Sequence, residues 1–569
     1  MLKRAFLLSA VMLASVAGAQ VKNPGTLIDV AFGDWRTFDP ADCYEQSCGE
    51  VIQNVLETLY FPEGNNASKF VPLLAEGMPE VSNGGKTYTV KIRKNAKFSN
   101  GKDLTAEDVA YSIQRTLLAS VDSGPAQLLI EPLLGTTDFI RKGGKVGYDQ
   151  VAAAVQAKGT DTVVFNLARP FAAFIAVLAT PYASIYSKAD AVAAGDWSGT
   201  EKDWEKFNNP AAGTTAFARK LPLGTGPFVL ERYDVNQNVV LKRNDNYWRA
   251  PAKLQRVIIQ NVEDENTRIR MLEAGDADIA SINRPAIPRV EKLPGVKVTE
   301  SNQLTLVALF MNQKINAAGT NYLGSGKLDG KGIPANFFSD VNVRKGMAAS
   351  FDYNALIKDV LLGAATQQST VVVKGLLGYS NTLPKYKFDK NQATRYFKAA
   401  WKGELWKNGF VLPVFYNSGN NIRKSALEII KKNVESLNPK FKVDVREIPF
   451  SQLIAQGGNS QMTMWALGWG ADYADPHNFA FPFLHSDGNY PTQTGYKNAK
   501  IDALIGEAVA TADTKKRNEL YRQIQTLGFN DTPFIPLYQP TFPFVNRDWV
   551  KGRVNNPVYA DDYYYPMSK

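Results

Sequence analysis

The chain is poor in the residues that thiol and metal chemistry need: its 569 residues include two cysteines and two histidines. A structural zinc site takes four such ligands at close spacing, and Cys43 and Cys48, with His477 and His485 far downstream, do not supply that cluster. Long apolar runs are missing as well. The most apolar internal stretch, "FAAFIAVLAT" at 171–180, is bracketed by Pro170 and Pro181. It has half of the roughly 20 residues a membrane helix requires, so it reads as core. There is no Gly-x-Ser-x-Gly elbow, no His-Glu-x-x-His pair and no phosphate-binding loop, which removes the chemistries those motifs carry. "GTGPF" at 224–228 has the first two glycines of a dinucleotide fingerprint, but Val229 stands where the third belongs and Pro227 interrupts it. No basic block occurs either. A formal charge of +10 is spread over the whole chain, which excludes a nucleic acid as partner.

What is present begins with "MLKR", a short apolar stretch "AFLLSAVMLASV" and the small residues Ala17-Gly18-Ala19. This is the pattern of a secretory signal, residues 1–19, removed after Ala19. About a dozen apolar residues are too few for an anchor. No cysteine follows the cleavage site to accept a lipid, so a free, soluble product is expected, its formal charge lowered to +8 by loss of Lys3 and Arg4. Cys43 and Cys48 lie five apart in the loop "DPADCYEQSCGE", and an oxidising compartment favours a local disulfide over free thiols. With 44% hydrophobic and 21% charged residues, the chain is globular and long enough for three or four domains of ~150 residues.

Strand and helix patterns alternate. "NGGKTYTVKIR" (83–93) opens on a turn and then alternates, with Tyr88, Val90 and Ile92 on one face, as the second strand of a hairpin does. In "LTAEDVAYSIQRTLL", Thr105 and Asp108 form a capping box ahead of a helix whose Val109, Ile113 and Leu117 share a face. The stretch 266–280 predicts a helix stopping at Gly275, and 340–363 predicts two short helices. "NIRKSALEIIKKNVESL" (421–437) predicts an amphipathic helix burying Ile422, Ala426, Ile429, Ile430 and Val434, with a strand after it. The fold class is α/β.

Six stretches occur in an order that resembles a known family: "KIRKNAKFSNGKDLTAEDVAYSIQR", "GTGPFVLERYDVNQNVVLKRNDNYW", "DENTRIRMLEAGDADIA", "DVNVRKGMAASFDYNALI", "GWGADYADPHNF" and "PFIPLYQPTFPFVNRDWVKG". Together they are similar to the solute-binding proteins of bacterial ABC transporters in the peptide/nickel family. The resemblance implies a two-lobed periplasmic-binding-protein fold, type II, with an extra subdomain and a hinge. Lobe I would comprise 20–64, 220–303 and 535–569, the extra subdomain 65–219 and lobe II 304–534. "QLTLVALFMNQ" and "PFIPLYQP" would be the hinge strands. The protein would be periplasmic, monomeric, without cofactor or catalytic activity, and would pass peptides to the transmembrane subunits of a permease served by a separate ATPase.

In the peptide binders, the aspartate of Gly-Trp-x-x-Asp meets the ligand's α-ammonium, which by resemblance assigns Asp472 that role here. A desolvated amine needs an opposite charge and hydrogen bonds, and a carboxylate in a closed cleft supplies both. Trp469 and Tyr473 adjoin that anchor. Asp475, followed by Pro476, reads as a turn or helix-capping carboxylate, and one of Trp465 and Trp469 as core. The loop "AFGDWRTFDP" offers Asp34, Trp35 and Arg36 from the first lobe, and "YNSGNNIRKSA" offers Tyr416, Asn417 and Arg423, the last as the cation for a ligand carboxylate. Ala466 departs from the arginine that oligopeptide binders often carry there. Three rivals remain: an oligosaccharide binder, a metal-chelate binder, and an exported glycoside hydrolase using Asp472 and Asp475 as its carboxylate pair.

Overall fold

The computed structural model describes residues 21–32, 35–122, 124–211 and 213–569. The segment read as a signal, and Asp34, lie outside the described residues. One 12-stranded sheet runs through the molecule. Strand Phe534–Arg547 joins its two halves, because its first residues pair antiparallel with Thr305–Met311 while its last pair with Val296–Asn302 and Ile279–Ala280. On the first side lie Thr26–Ala31, parallel to Arg256–Asn261, and then Asn238–Arg243 and Phe228–Asp234. On the second side lie Met464–Gly470, Phe410–Asn417 and Phe441–Ile448.

Period-2 alternation explains why each half carries two cores. In Thr305–Met311, Val307, Leu309 and Met311 face one cluster while Leu306, Ala308 and Phe310 face another. In the first half, Leu27 and Ile279 pack to one side, Val30 and Ala280 to the other. A separate antiparallel sheet, ordered Glu80–Ser82, Thr87–Lys91, Thr162–Asn166, Val155–Lys158, forms a third layer, and Tyr88 and Val90 are buried as the alternation predicts. "FAAFIAVLAT" packs in the large core beneath it. The segment 171–172 also meets helices beyond the strand Met464–Gly470: the Ala172 amide donates to the Val509 carbonyl of helix Ala499–Ala510 at 2.7 Å, and Phe171 sits edge-on to His477 of helix His477–Leu484.

The helices obey their local chemistry. Helix Ala106–Ala119 has the Thr105–Asp108 capping box, with both reciprocal bonds formed. Helix Glu265–Ala274 stops at Gly275, which takes φ 71°, a left-handed value that glycine adopts freely. Helix Asn421–Glu435 differs from expectation in its buried stripe. Ala426, Leu427, Ile430 and Val434 are inside, whereas Ile422, in the first turn, is 37% exposed and Ile429 is half-buried. No described helix is long and apolar enough to cross a membrane.

Candidate functional site

"GWGADYADPHNF" runs off the end of strand Met464–Gly470 into a loop held rigidly from behind. Asp475 is buried and takes a bidentate bond from Arg517, at 2.7 and 2.6 Å, while its Oδ1 also accepts from the His477 amide. It is therefore the turn carboxylate, one of the two readings the sequence allows, bonding the amide two residues on ahead of helix His477–Leu484, and half of a buried ion pair. Asn478 completes the mount: its Oδ1 accepts from the Asp472 amide at 2.8 Å and from Trp469 Nε1 at 3.3 Å, and its Nδ2 donates to Asp472 Oδ2 at 3.0 Å.

Asp472 is thereby presented to a cleft of about 380 Å³ lined by Tyr44, Tyr182, Gly468, Trp469 and Tyr559, among others. From the far side, the Tyr44 hydroxyl donates to Asp472 Oδ1 at 2.7 Å. Tyr44 projects from the ring closed by the Cys43–Cys48 disulfide, and its own ring meets Tyr182 edge-on. Burial raises the Asp472 pKa above the usual carboxylate range, against the pull of its two hydrogen bonds, and no cation acts on it. Arg423 is the converse. It lies behind Gly468, where a Cβ would stand 3.6 Å from Nη2. Its Nη1 donates to Asn417 Oδ1 at 2.6 Å, and burial lowers its pKa with only Tyr538 and Tyr490 opposing.

The remaining candidates divide. Trp469 lines the cleft, and Trp465 is buried and stacked on Phe310. Tyr416 is buried, donating to Glu447 at 2.7 Å, and so braces the strand end beneath Asn417. Trp35 lines an adjoining cavity. Two residues do not serve as expected. Tyr473 is 4% exposed, its hydroxyl paired with His477 Nδ1 at 2.9 Å, because consecutive residues leaving a strand point to opposite sides and Asp472 takes the cleft side. Arg36 turns back on its own loop, bonding Asp42 Oδ1 at 2.8 Å, the Asp42 carbonyl at 2.7 Å and Glu45 at 3.1 Å, so its charge is matched there. His477 and His485 belong to the helix His477–Leu484 and its end, and neither lines the cleft. Burial drives the His477 pKa far down, keeping the ring neutral. Tyr44, Tyr182 and Asn478 are the site residues that sequence reasoning passed over, although Tyr44 stands inside the cysteine loop and Asn478 inside the quoted motif.

A cleft between two sheet halves, lined by rings and by the Asp472 carboxylate, defines a two-lobed binding protein of the type II periplasmic class. The chain belongs to the bacterial extracellular solute-binding proteins, family 5, whose model matches residues 69–491. It is 26% identical to Heme-binding protein A of Haemophilus influenzae, over 92% of this chain and 87% of that protein. It is 27% identical to the Dipeptide-binding protein of Escherichia coli, over 97% and 95%. Among solved structures it is similar to the periplasmic binding protein DppA of Helicobacter pylori in complex with peptide STSA, with TM-score 0.71, 22% identity and coverage of 96% of this chain and 98% of that one. It is also similar to NikA of Brucella suis in complex with Fe(III)-EDTA, with TM-score 0.74, 21% identity and coverage of 95% and 99%.

Proposed function

We propose that this protein captures short peptides with free termini between its lobes and delivers them to the membrane permease of an ABC importer, as a periplasmic monomer that performs no bond chemistry. One observation carries the reading: Asp472 and Arg423, on either side of Gly468–Trp469, each hold a partly or wholly desolvated charge with no opposite charge from the protein. Buried charges are ordinarily paired, and a zwitterion would supply both partners. The ligand's α-ammonium would take Asp472 and its carboxylate Arg423, which Asn417 orients, while Trp469, Tyr44 and Tyr182 flank the chain between. The names of the E. coli and H. pylori relatives support peptides as the ligand class.

The mechanism is a shift of population. Lobe I (20–64, 220–303 and 535–569) with its subdomain (65–219) closes on lobe II (304–534) about the two long strands at 305–311 and 534–547. A ligand can favour the closed form only by its differential affinity for it. Tyr44 from lobe I and Asp472 from lobe II give that difference, since both reach the ligand's amino end only when the lobes meet. The two histidines lie outside the cleft, which disfavours a metal-chelate ligand. Asp475, committed to Arg517, is not available as a second catalytic carboxylate.

The test is native mass spectrometry of freshly purified protein, followed by thermal shifts with free and N-acetylated di- to pentapeptides. A ligand at ~100 times its Kd adds about 2.7 kcal/mol of stability. Stabilisation by free peptides and not by acetylated ones is expected. Equal shifts from both, or stabilisation by oligosaccharides alone, would overturn the reading.

A further inference from the structure

Beside the Asp472 cleft, and sharing Gln46 and Tyr559 with it, lies a second cavity of about 330 Å³ on the lobe I side. Its wall carries Asp29, Glu50, Asp561 and Asp562 against a single cation, Arg553. Arg553 is already spent. It holds both oxygens of Asp562, at 2.8 and 2.7 Å, and its Nη1 donates to the Val545 carbonyl at 3.1 Å. One hydroxyl serves the two deepest carboxylates: Tyr564 Oη stands 2.9 Å from Asp29 Oδ2 and 2.7 Å from Glu50 Oε1, and its one proton can satisfy only one of them. Burial and mutual repulsion raise the Asp29 pKa to about 8, that of Asp561 to about 6, and that of Glu50 as well. Three carboxyl groups thus share one guanidinium whose hydrogen bonds are committed to Asp562.

A second observation on the same wall concerns a donor. Trp35 is 5% exposed, and its Nε1 is buried with no acceptor among the described residues. Buried donors are nearly always paired, so this one points to an acceptor that arrives with a ligand. Phe32 and Phe542 line the cavity too and are 59% and 49% exposed; the Arg268 guanidinium stands 5.2 Å from the Phe32 ring centre, and the exposed remainder of both rings is surface against which an alkyl stem could lie.

We propose that this cavity is a second, cationic subsite that takes the guanidinium or ammonium of a basic side chain on the captured ligand. Asp561 provides the charge, Asp29, protonated while the cavity is empty, a second carboxylate that releases its proton as the cation arrives, Phe32 and Phe542 the walls for the stem, and Trp35 a donor for a ligand carbonyl. Asp29, Glu50 and Asp562 do bring oxygens within 4.8 Å of one another, as a metal site would. An organic cation fits better, because Asp562 is saturated by Arg553 and a tyrosine proton lies between the other two. The subsite rests on the peptide reading above for its ligand, so its test includes a cation that is not a peptide.

The mature protein is titrated calorimetrically with Ala-Ala-Ala, with its lysine- and arginine-substituted versions at each position, with agmatine, and with Ca²⁺ and Mn²⁺, alongside Asp561→Asn and Asp29→Asn. The best arginine peptide is expected to bind at least tenfold tighter than Ala-Ala-Ala, and the Asp561→Asn change to bring that ratio close to one. Asp561 is the most exposed residue of the acidic wall although its carboxyl is desolvated there, and its φ of 66° is one asparagine tolerates, so its variant reports even if Asp29→Asn fails to fold. If no peptide binds but agmatine binds the wild type and not Asp561→Asn, the subsite stands and the peptide reading falls. Peptide binding with no preference for basic residues overturns the subsite. So does binding of a divalent ion that depends on Asp561 without any such preference, and so does failure of both agmatine and the basic peptides.

Discussion

Replacing Asp472 with asparagine separates charge from shape. The amide retains the size of the side chain and one oxygen acceptor, so the contacts from Tyr44 and Asn478, at 2.7 and 3.0 Å, are weakened rather than emptied. For the unliganded protein the carboxylate is a burden, because burial raises its pKa. The native state therefore binds its proton more tightly than the unfolded chain does. Its stabilising share is present at low pH and is lost as pH rises through the elevated pKa, a loss that asparagine abolishes. At pH 7 the empty variant should be as stable as the wild type or more so. Binding should move the other way. Removing one member of a desolvated, hydrogen-bonded charge pair costs 2–5 kcal/mol, which at ~1.4 kcal/mol per factor of ten weakens Kd by roughly 30- to 4,000-fold. Calorimetric titration with free and N-acetylated tripeptides measures the second effect, and urea denaturation the first. A variant that binds within threefold of wild type would refute the role given to Asp472. A loss of more than ~2 kcal/mol in the empty protein would make the carboxylate structural.

Arg423→Gln should weaken free-acid peptides by about 1.5–3 kcal/mol, the worth of hydrogen bonds to a charged group, and leave C-terminal amides nearly unchanged, as competition titrations of the two series would reveal. Breaking the Cys43–Cys48 ring, whose cysteines are five apart, should cost about 2 kcal/mol by loop-closure entropy. It should also lower ligand affinity, because Tyr44 is positioned by the ring; denaturation and titration of the double Cys→Ser variant test both. Arg517→Ala strands the buried Asp475 carboxylate and should destabilise by about 3–5 kcal/mol, read from urea midpoints. Asp29 holds a proton up to about pH 8 when folded, against 3.8 as its ordinary value, so stability should decline as pH rises between those limits. Asp29→Asn should flatten that slope when ΔG of unfolding is compared at pH 5 and pH 8.5.

What could be read from the sequence were features whose partners are near in the chain. The alternation in 87–91, the Thr105–Asp108 cap and the stop at Gly275 each depend on residues within four positions, and each is present. The motif 468–479 belongs to the same group, since Asp475 closes a turn onto the amide two residues on and Asn478 holds Asp472 from six away. Failures begin where charge is matched at long range or by an unpatterned neighbour. Arg36 appears free in "AFGDWRTFDP" only because nothing local says that the chain doubles back through the disulfide ring to bring it Asp42 and Glu45. Tyr44 meets Asp472 across 428 positions, and the acidic wall brings Asp29 to Tyr564 across 535. Such contacts follow from strand order: the C-terminal segment returns to lobe I only because Phe534–Arg547 threads both halves of the sheet. On the proposed hinge, an opening of the halves at this cleft would separate Tyr44 from Asp472, which are bonded here at 2.7 Å. A ligand that fills their shared cleft acts directly on the balance between open and closed.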